Sequence, residues 1–198
     1  MEYDRQAYKT DPTFRQLFVA RSKRLTKYVA GVLRAQDNGA CRFLTFAELV
    51  NDLENTLLQV TKDKQNFTPS TRVDFPRFKA FYTSLNLPKD IQTDALIVWT
   101  AIRSFLKGSI EALQASNSVL PCESFTRVEI LGKNRCRIPM ELRESVYGIF
   151  EKYQRVLIKQ KLWDDCDRIR VLIKRIERTR HNDPALFHSI RKTKIYVS

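Results

Sequence analysis

Apolar positions recur at two different periods along this chain, and the switch between them outlines its architecture. Gln16 to Val19 (QLFV) is a short apolar run of strand length, followed directly by the basic stretch Arg21-Ser22-Lys23-Arg24. Leu25, Tyr28, Val29, Val32 and Leu33 then recur at helical spacing, which predicts a helix ending near Asn38-Gly39. Arg42 to Phe46 (RFLTF) reads as a second strand and Ala47 to Val60 as a second helix. Strand, helix, strand, helix with short joints predicts a parallel α/β layer.

Beyond Thr61 the strand pattern disappears. Residues 61–74 are polar, contain Pro69 and read as a loop, and Phe75 to Leu85 read as a short amphipathic helix. Ala95, Trp99, Ile102, Leu106, Ile110 and Leu113 trace one face of a single long helix. Ser116 to Pro139, with Pro121, Gly132 and Pro139, reads as a loop holding one short element. Val146, Phe150, Tyr153 and Leu157 mark another helix face, and Ile169, Leu172, Ile173 and Ile176 the last. Lys194 to Val197 (KIYV) is strand-like again. The expected fold is mainly α with a small parallel α/β part, its strands near 15–20, 41–46 and 194–197. The α/β part covers residues 1–60 and 190–198, and a helical insert covers 61–189.

Charge narrows the choice of partners. The 198 residues hold 35 Lys+Arg against 22 Asp+Glu, a net charge of +13, with 43% apolar residues. That apolar content supports a real core and excludes disorder, a collagen-like repeat and a disulfide scaffold. The basic balance favours polyanionic partners, nucleic acid first and an anionic membrane face second. No apolar stretch is long enough to span a bilayer, and the N-terminal MEYDRQAYKT has no apolar core of a signal peptide.

Catalytic chemistry is sparse. Cys41, Cys122, Cys136 and Cys166 are spaced by 81, 14 and 30 residues, with no C-x-x-C pair and neither His181 nor His188 nearby. Reduced thiols in an intracellular protein are the expectation. Leu131-Gly132-Lys133 lacks the preceding glycines of a phosphate-binding loop, and there is no G-x-S-x-G or H-E-x-x-H. Asp164-Asp165-Cys166-Asp167 reads as the acidic first turn of a helix rather than a metal site, and the histidines flanking Pro184 read as surface residues. No catalytic or metal-binding residue is expected.

The cations are better organised. Arg21, Lys23, Arg24 and Lys27 follow a strand end, where α/β folds build ligand-binding loops. Arg168, Arg170, Lys174, Arg175, Arg178 and Arg180 place six basic residues among thirteen on the last helix. Such a helix can lie along a phosphate backbone or simply present a solvated face.

Phe14-Arg15-Gln16-Leu17-Phe18-Val19-Ala20-Arg21-Ser22 closely resembles the strand and loop called motif Ia in UvrD-like superfamily 1 helicases. The nearest branch is the large eukaryotic one whose members carry TPR and ankyrin repeats. Cys41 to Phe46 resembles the next strand with its Thr-Phe contact motif, and Val98 to Ser109 the tryptophan-containing helix of that family's insert. Leu162 to Asp167 resembles the aromatic-acidic stretch before the return to the core, and Lys194 to Val197 the strand leading into Walker B. The resemblance implies an incomplete RecA-like layer plus helical insert, lying between Walker A and Walker B and holding neither. It therefore implies no ATP hydrolysis and no cofactor in this chain, ATP and Mg²⁺ belonging to a longer parent.

The site residues follow from that resemblance. It makes Arg21 and Ser22 phosphate or sugar contacts to single-stranded DNA and Thr45 and Phe46 further contacts, with the Phe46 ring better read as core. Lys23, Arg24, Arg103 and Lys107 are electrostatic contacts. Ala20 departs from the family's threonine, which removes one hydroxyl contact. Two functions compete: a nucleic-acid-binding helicase fragment, sequence-tolerant and salt-sensitive, and a helical protein-interaction module derived from an inactive helicase. Self-association through an exposed sheet edge is a further expected partner mode.

Overall fold

The computed structural model describes residues 15–34, 41–61, 67–89, 92–127, 136, 138–182 and 193–197. They form two compact units, one from Met1–Lys64 with Leu172–Ser198 and one from Gln65–Val171.

The first unit is built on β1 (Arg15–Ala20), α1 (Lys23–Arg34), β2 (Cys41–Thr45), α2 (Phe46–Thr61) and β3 (Thr193–Val197). The sheet is parallel in the order β2-β1-β3, with Phe18 opposite Phe43 on one side and Tyr196 on the other. Leu17, Val19 and Ala20 of the central strand are buried, as expected when helices cover a parallel sheet. The small side chains Thr26 and Ala30 are the buried positions of α1, which packs against β1 and β2. Three parallel strands establish a small α/β part; they do not by themselves define a RecA-like layer.

The second unit is helical: α3 (Phe75–Ser84), α4 (Ala95–Ala101), a π-helical turn at Ile102–Leu106, α5 (Ile110–Gln114), α6 (Cys122–Thr126) and α7 (Met140–Gln160). Helix α8 (Asp165–Asn182) starts here and continues into the first unit. Asp74 and Asp94 cap α3 and α4 by accepting backbone N–H bonds from Arg77 and from Leu96 and Ile97. Phe78 sits at the centre of the core, its ring 4.9 Å from Trp99 and 5.3 Å from Tyr153.

The single long helix expected over 95–113 is broken. The Lys107 N–H reaches back five residues to the Ile102 carbonyl at 2.9 Å, and Ser109 then caps a new helix by accepting from the Ala112 N–H at 3.0 Å. A Cβ on Gly108 would lie 2.1 Å from the Arg103 carbonyl oxygen, so the turn admits only glycine. The break turns Ile110 outward to 69% exposure and buries Ala112 in its place.

Candidate functional site

Arg21, Ser22, Lys23 and Arg24 form an exposed corner where β1 passes into α1. The Ser22 hydroxyl accepts from the Leu25 N–H at 3.3 Å, and the Ser22 carbonyl accepts from the Thr26 N–H and hydroxyl, each at 3.0 Å. Ser22 is therefore the N-cap of α1. With Lys27, the four cations Arg21, Lys23, Arg24 and Lys27 lie within seven residues, and α1 has no acid. Glu48 is the anion that senses Lys23.

Beside these cations α1 carries a second apolar face. Leu25, Tyr28 and Val32 are 41%, 71% and 53% exposed, although their spacing matches a core stripe. The apolar residues of α1 span a wide arc, and only its Val29–Leu33 side, next to Thr26 and Ala30, turns inward. The excess width of that arc is the sequence signal for this surface; helical spacing alone, which predicted the helix, does not say which part of the arc is buried.

Thr45 and Phe46 lie in different surroundings. The Phe46 ring, expected in the core, is 51% exposed at the first position of α2. Thr45 is buried and engaged: its N–H and hydroxyl donate to the Glu48 carboxylate at 2.8 and 2.9 Å, while the Glu48 N–H donates to its hydroxyl at 3.2 Å. This reciprocal arrangement is a capping box, and it occupies the hydroxyl that the resemblance assigns to a ligand. Thr45→Ala is expected to cost about 0.5–2 kcal/mol, read as faster amide exchange in the first turn of α2; unchanged exchange there would show that the hydroxyl caps nothing. The Thr45 backbone N–H, then its hydroxyl, hold the Glu48 carboxyl below its ordinary value. This stabilisation is present above the unfolded carboxyl pKa and is lost as pH falls through the lower folded value.

Lys107 and Arg103 are also committed inside the protein. The Lys107 side chain is 1% exposed, with its Nζ 2.7 Å from Asp164 Oδ2 and 2.7 Å from Asp167 Oδ1. Arg103 donates to Asp165 Oδ2 at 3.1 Å and lies over the Trp99 ring. Arg72 engages the same Asp165 through two bonds, which raise its pKa, and Arg170 bonds Asp167 at 2.8 Å. Asp164 Oδ1 caps α8, accepting from the Cys166 and Asp167 N–H groups at 3.0 and 3.1 Å. The acidic cluster is thus a helix start with four basic partners; Arg170 lies one turn along the same helix, while Arg72, Arg103 and Lys107 were invisible because they lie 57 to 93 residues away in sequence. Tyr153 donates to Asp164 Oδ2 at 3.1 Å, and burial first, then the Asp164 charge, pushes its phenol up. The same two causes push the Cys166 thiol up, so it is a poor nucleophile.

The basic face of α8 is partly internal. Arg175 is buried, and Arg170 also donates to the Ser118 carbonyl at 3.3 Å, while Lys174, Arg178 and Arg180 are exposed. His181 is exposed on the last turn; His188, Pro184 and Leu131-Gly132-Lys133 lie outside the described residues. Of the predicted site residues, the structure brings Arg21, Ser22, Lys23 and Arg24 together on one surface and places Arg103 and Lys107 in a separate, internal charge cluster.

The second unit also has a groove of about 850 Å³ along α7, lined by Phe150, Gln154, Ile158 and Trp163 among others. Among the described residues, no helix is long and apolar enough to cross a membrane, and no three His, Cys, Asp or Glu side chains are grouped to hold a metal.

No protein-family model matches the chain, and no solved structure matches it. Human TPR and ankyrin repeat-containing protein 1 is 32% identical to it over 84 residues. That match covers 42% of this chain and 3% of the relative, so the chain spans only a small part of the relative's length. These findings correct the helicase reading. No helicase family or structure is matched, and the relative is named for its repeats and for no helicase. The UvrD-like assignment and its ATP-binding, hydrolase and DNA-binding implications are withdrawn. The side chains agree with that outcome: Thr45, Arg103 and Lys107 are occupied within the fold, and Ser22 caps a helix.

Proposed function

We propose that this chain is a helical protein-interaction module. The observation that carries the reading is the second apolar face of α1, where Leu25, Tyr28 and Val32 stay in solvent although the helix already buries another face. Three clustered large apolar side chains on one exposed helix face are the kind of patch that marks an interaction site. The similarity to a TPR and ankyrin repeat-containing protein supports the same reading, since arrays of such repeats are built to present binding surfaces. The described helices range from 5 to 21 residues and do not repeat as equal pairs, so the reading rests on this surface and not on a stacked array.

Panning a phage-displayed library of helical peptides against the full chain tests this. The expected result is enrichment of a peptide group whose binding is lost when Leu25, Tyr28 and Val32 are all replaced by Asp. Equal recovery of peptides on the native chain and on a surface-scrambled control, also carrying Ile158→Asp in the α7 groove, would sink the reading.

A further inference from the structure

We infer that the exposed face of α1 docks an acidic amphipathic α-helix of a partner protein. This rests on the interaction-module reading and names the chemistry of the partner. Successive residues of a helix are turned by about 100°, which places Leu25, Tyr28 and Val32 within an arc of roughly 60° and along about 10 Å of axis. That stripe is the footprint of two turns of a partner helix with apolar side chains at i, i+3 or i+4, and i+7. Arg24 borders the stripe on the Tyr28 side, and Lys27 and Lys23 lie beyond it on the same flank, with Arg21 at the N-terminal end. Gly31, on that flank between Arg24 and Lys27, has open space around its Cα, so a partner can approach the backbone there.

Charge complementarity selects the occupant. All four cations are exposed, and none of their side chains has a hydrogen bond or ion pair among the described residues; Glu48 is close enough to act on Lys23. A partner with Asp or Glu along one flank would meet these cations while burying Leu25, Tyr28 and Val32. A basic or neutral helix would leave them repelled or unpaired. A nucleic acid would gain from the cations but nothing from burying Leu25 and Val32. A bilayer needs a wider apolar face than three side chains on a helix whose opposite face is already in a core.

The test uses fluorescence anisotropy with the full 198-residue chain and short labelled probes. These are an acidic amphipathic helical peptide, a scrambled peptide of the same composition, and a peptide with the same apolar face but Lys in place of Asp and Glu. A single-stranded oligonucleotide and phosphatidylserine vesicles complete the set. The acidic amphipathic peptide should bind at least about tenfold more tightly than either control peptide. Tyr28→Ala, at the centre of the stripe, should weaken it by roughly tenfold. Arg24→Glu with Lys27→Glu should weaken it further and flatten its salt dependence. Both variants alter exposed side chains, and circular dichroism checks that they remain folded. Tight binding of the Lys-containing peptide alone overturns the acidic partner and leaves the interaction module standing. Equal binding of the scrambled peptide overturns the helical footprint. Binding of the oligonucleotide or vesicles with none of the peptides overturns both readings.

Discussion

Lys107→Met is expected to lower the unfolding free energy of the helical unit by about 3–5 kcal/mol. The ammonium lies between Asp164 and Asp167 at 2.7 Å from each, with side-chain exposures of 1%, 0% and 14% for the three residues. Methionine has nearly the same length and removes only the charge and its donors. Asp164 would then be buried with one remaining side-chain donor, the Tyr153 hydroxyl, and a carboxylate stranded in that way bears most of its desolvation cost. The loss spreads further because Asp164 Oδ1 caps α8, and Lys107 itself ends the π-helical turn. Both tryptophans of the chain, Trp99 and Trp163, belong to this unit, so intrinsic fluorescence in a urea titration follows it directly. Adding Asp164→Asn should recover part of the loss, since the amide oxygen can still cap the helix and no bare charge remains. A change near the 0–1 kcal/mol typical of an exposed ion pair would mean the site is far wetter than its geometry indicates.

Lys107 also shows where local patterns stop being informative. In the sequence it is one of two cations, with Arg103, on an apparently continuous helix, and its partner Asp164 is 57 residues away. A spacing rule within one helix cannot register such a pair. The break that brings the two together is equally hidden. Apolar residues continue at helical spacing through Leu106, Ile110 and Leu113, and the one punctuation mark, Gly108, looks like a tolerated interior glycine. By contrast β1 and β2 were legible as short apolar runs, and α3 and α7 as clean stripes, because each element is specified by contacts that repeat along its own length. The case of α1 lies between these. Its helical period was evident, but five apolar residues cover too wide an arc to face one sheet. The small side chains Thr26 and Ala30 decide which part is buried. Sequence spacing locates a helix better than it orients one.

That difference also bears on the contacts the helicase resemblance implied. The resemblance assigned contacts to residues by their order in the chain, and the fold assigns Thr45 to a capping box, Lys107 to a buried carboxylate pair and Arg103 to Asp165. Of the contacts the resemblance implied, Arg21, Lys23 and Arg24 at the start of α1 are the exposed cations. The +13 charge is therefore not one feature. Part of it neutralises carboxylates inside the helical unit, and part borders an apolar stripe in solvent.

Phe78→Ala should cost about 3–5 kcal/mol in the same fluorescence titration, the range for emptying a fully enclosed aromatic site. Phe78 is 0% exposed and touches Phe81, Tyr82, Trp99 and Tyr153, with ring centroids 4.9–6.2 Å away. Two of these neighbours carry polar duties. Tyr82 donates to the Thr93 carbonyl and accepts from the Thr93 N–H at 3.1 Å, which anchors the segment where Asp94 caps α4. Tyr153 donates to Asp164 beside Lys107, and its ring lies 5.9 Å from the Lys107 ammonium. Removing Phe78 thus loosens the aromatic wall that holds the phenol against the buried charges. The double variant Phe78→Ala with Lys107→Met should consequently lose less than the sum of the two single losses, because both act through Tyr153. Strict additivity would show that the aromatic core and the charge cluster are independent. A single-variant loss under about 1.5 kcal/mol would show that the site collapses around the missing ring, contrary to the packing of four aromatic neighbours around it.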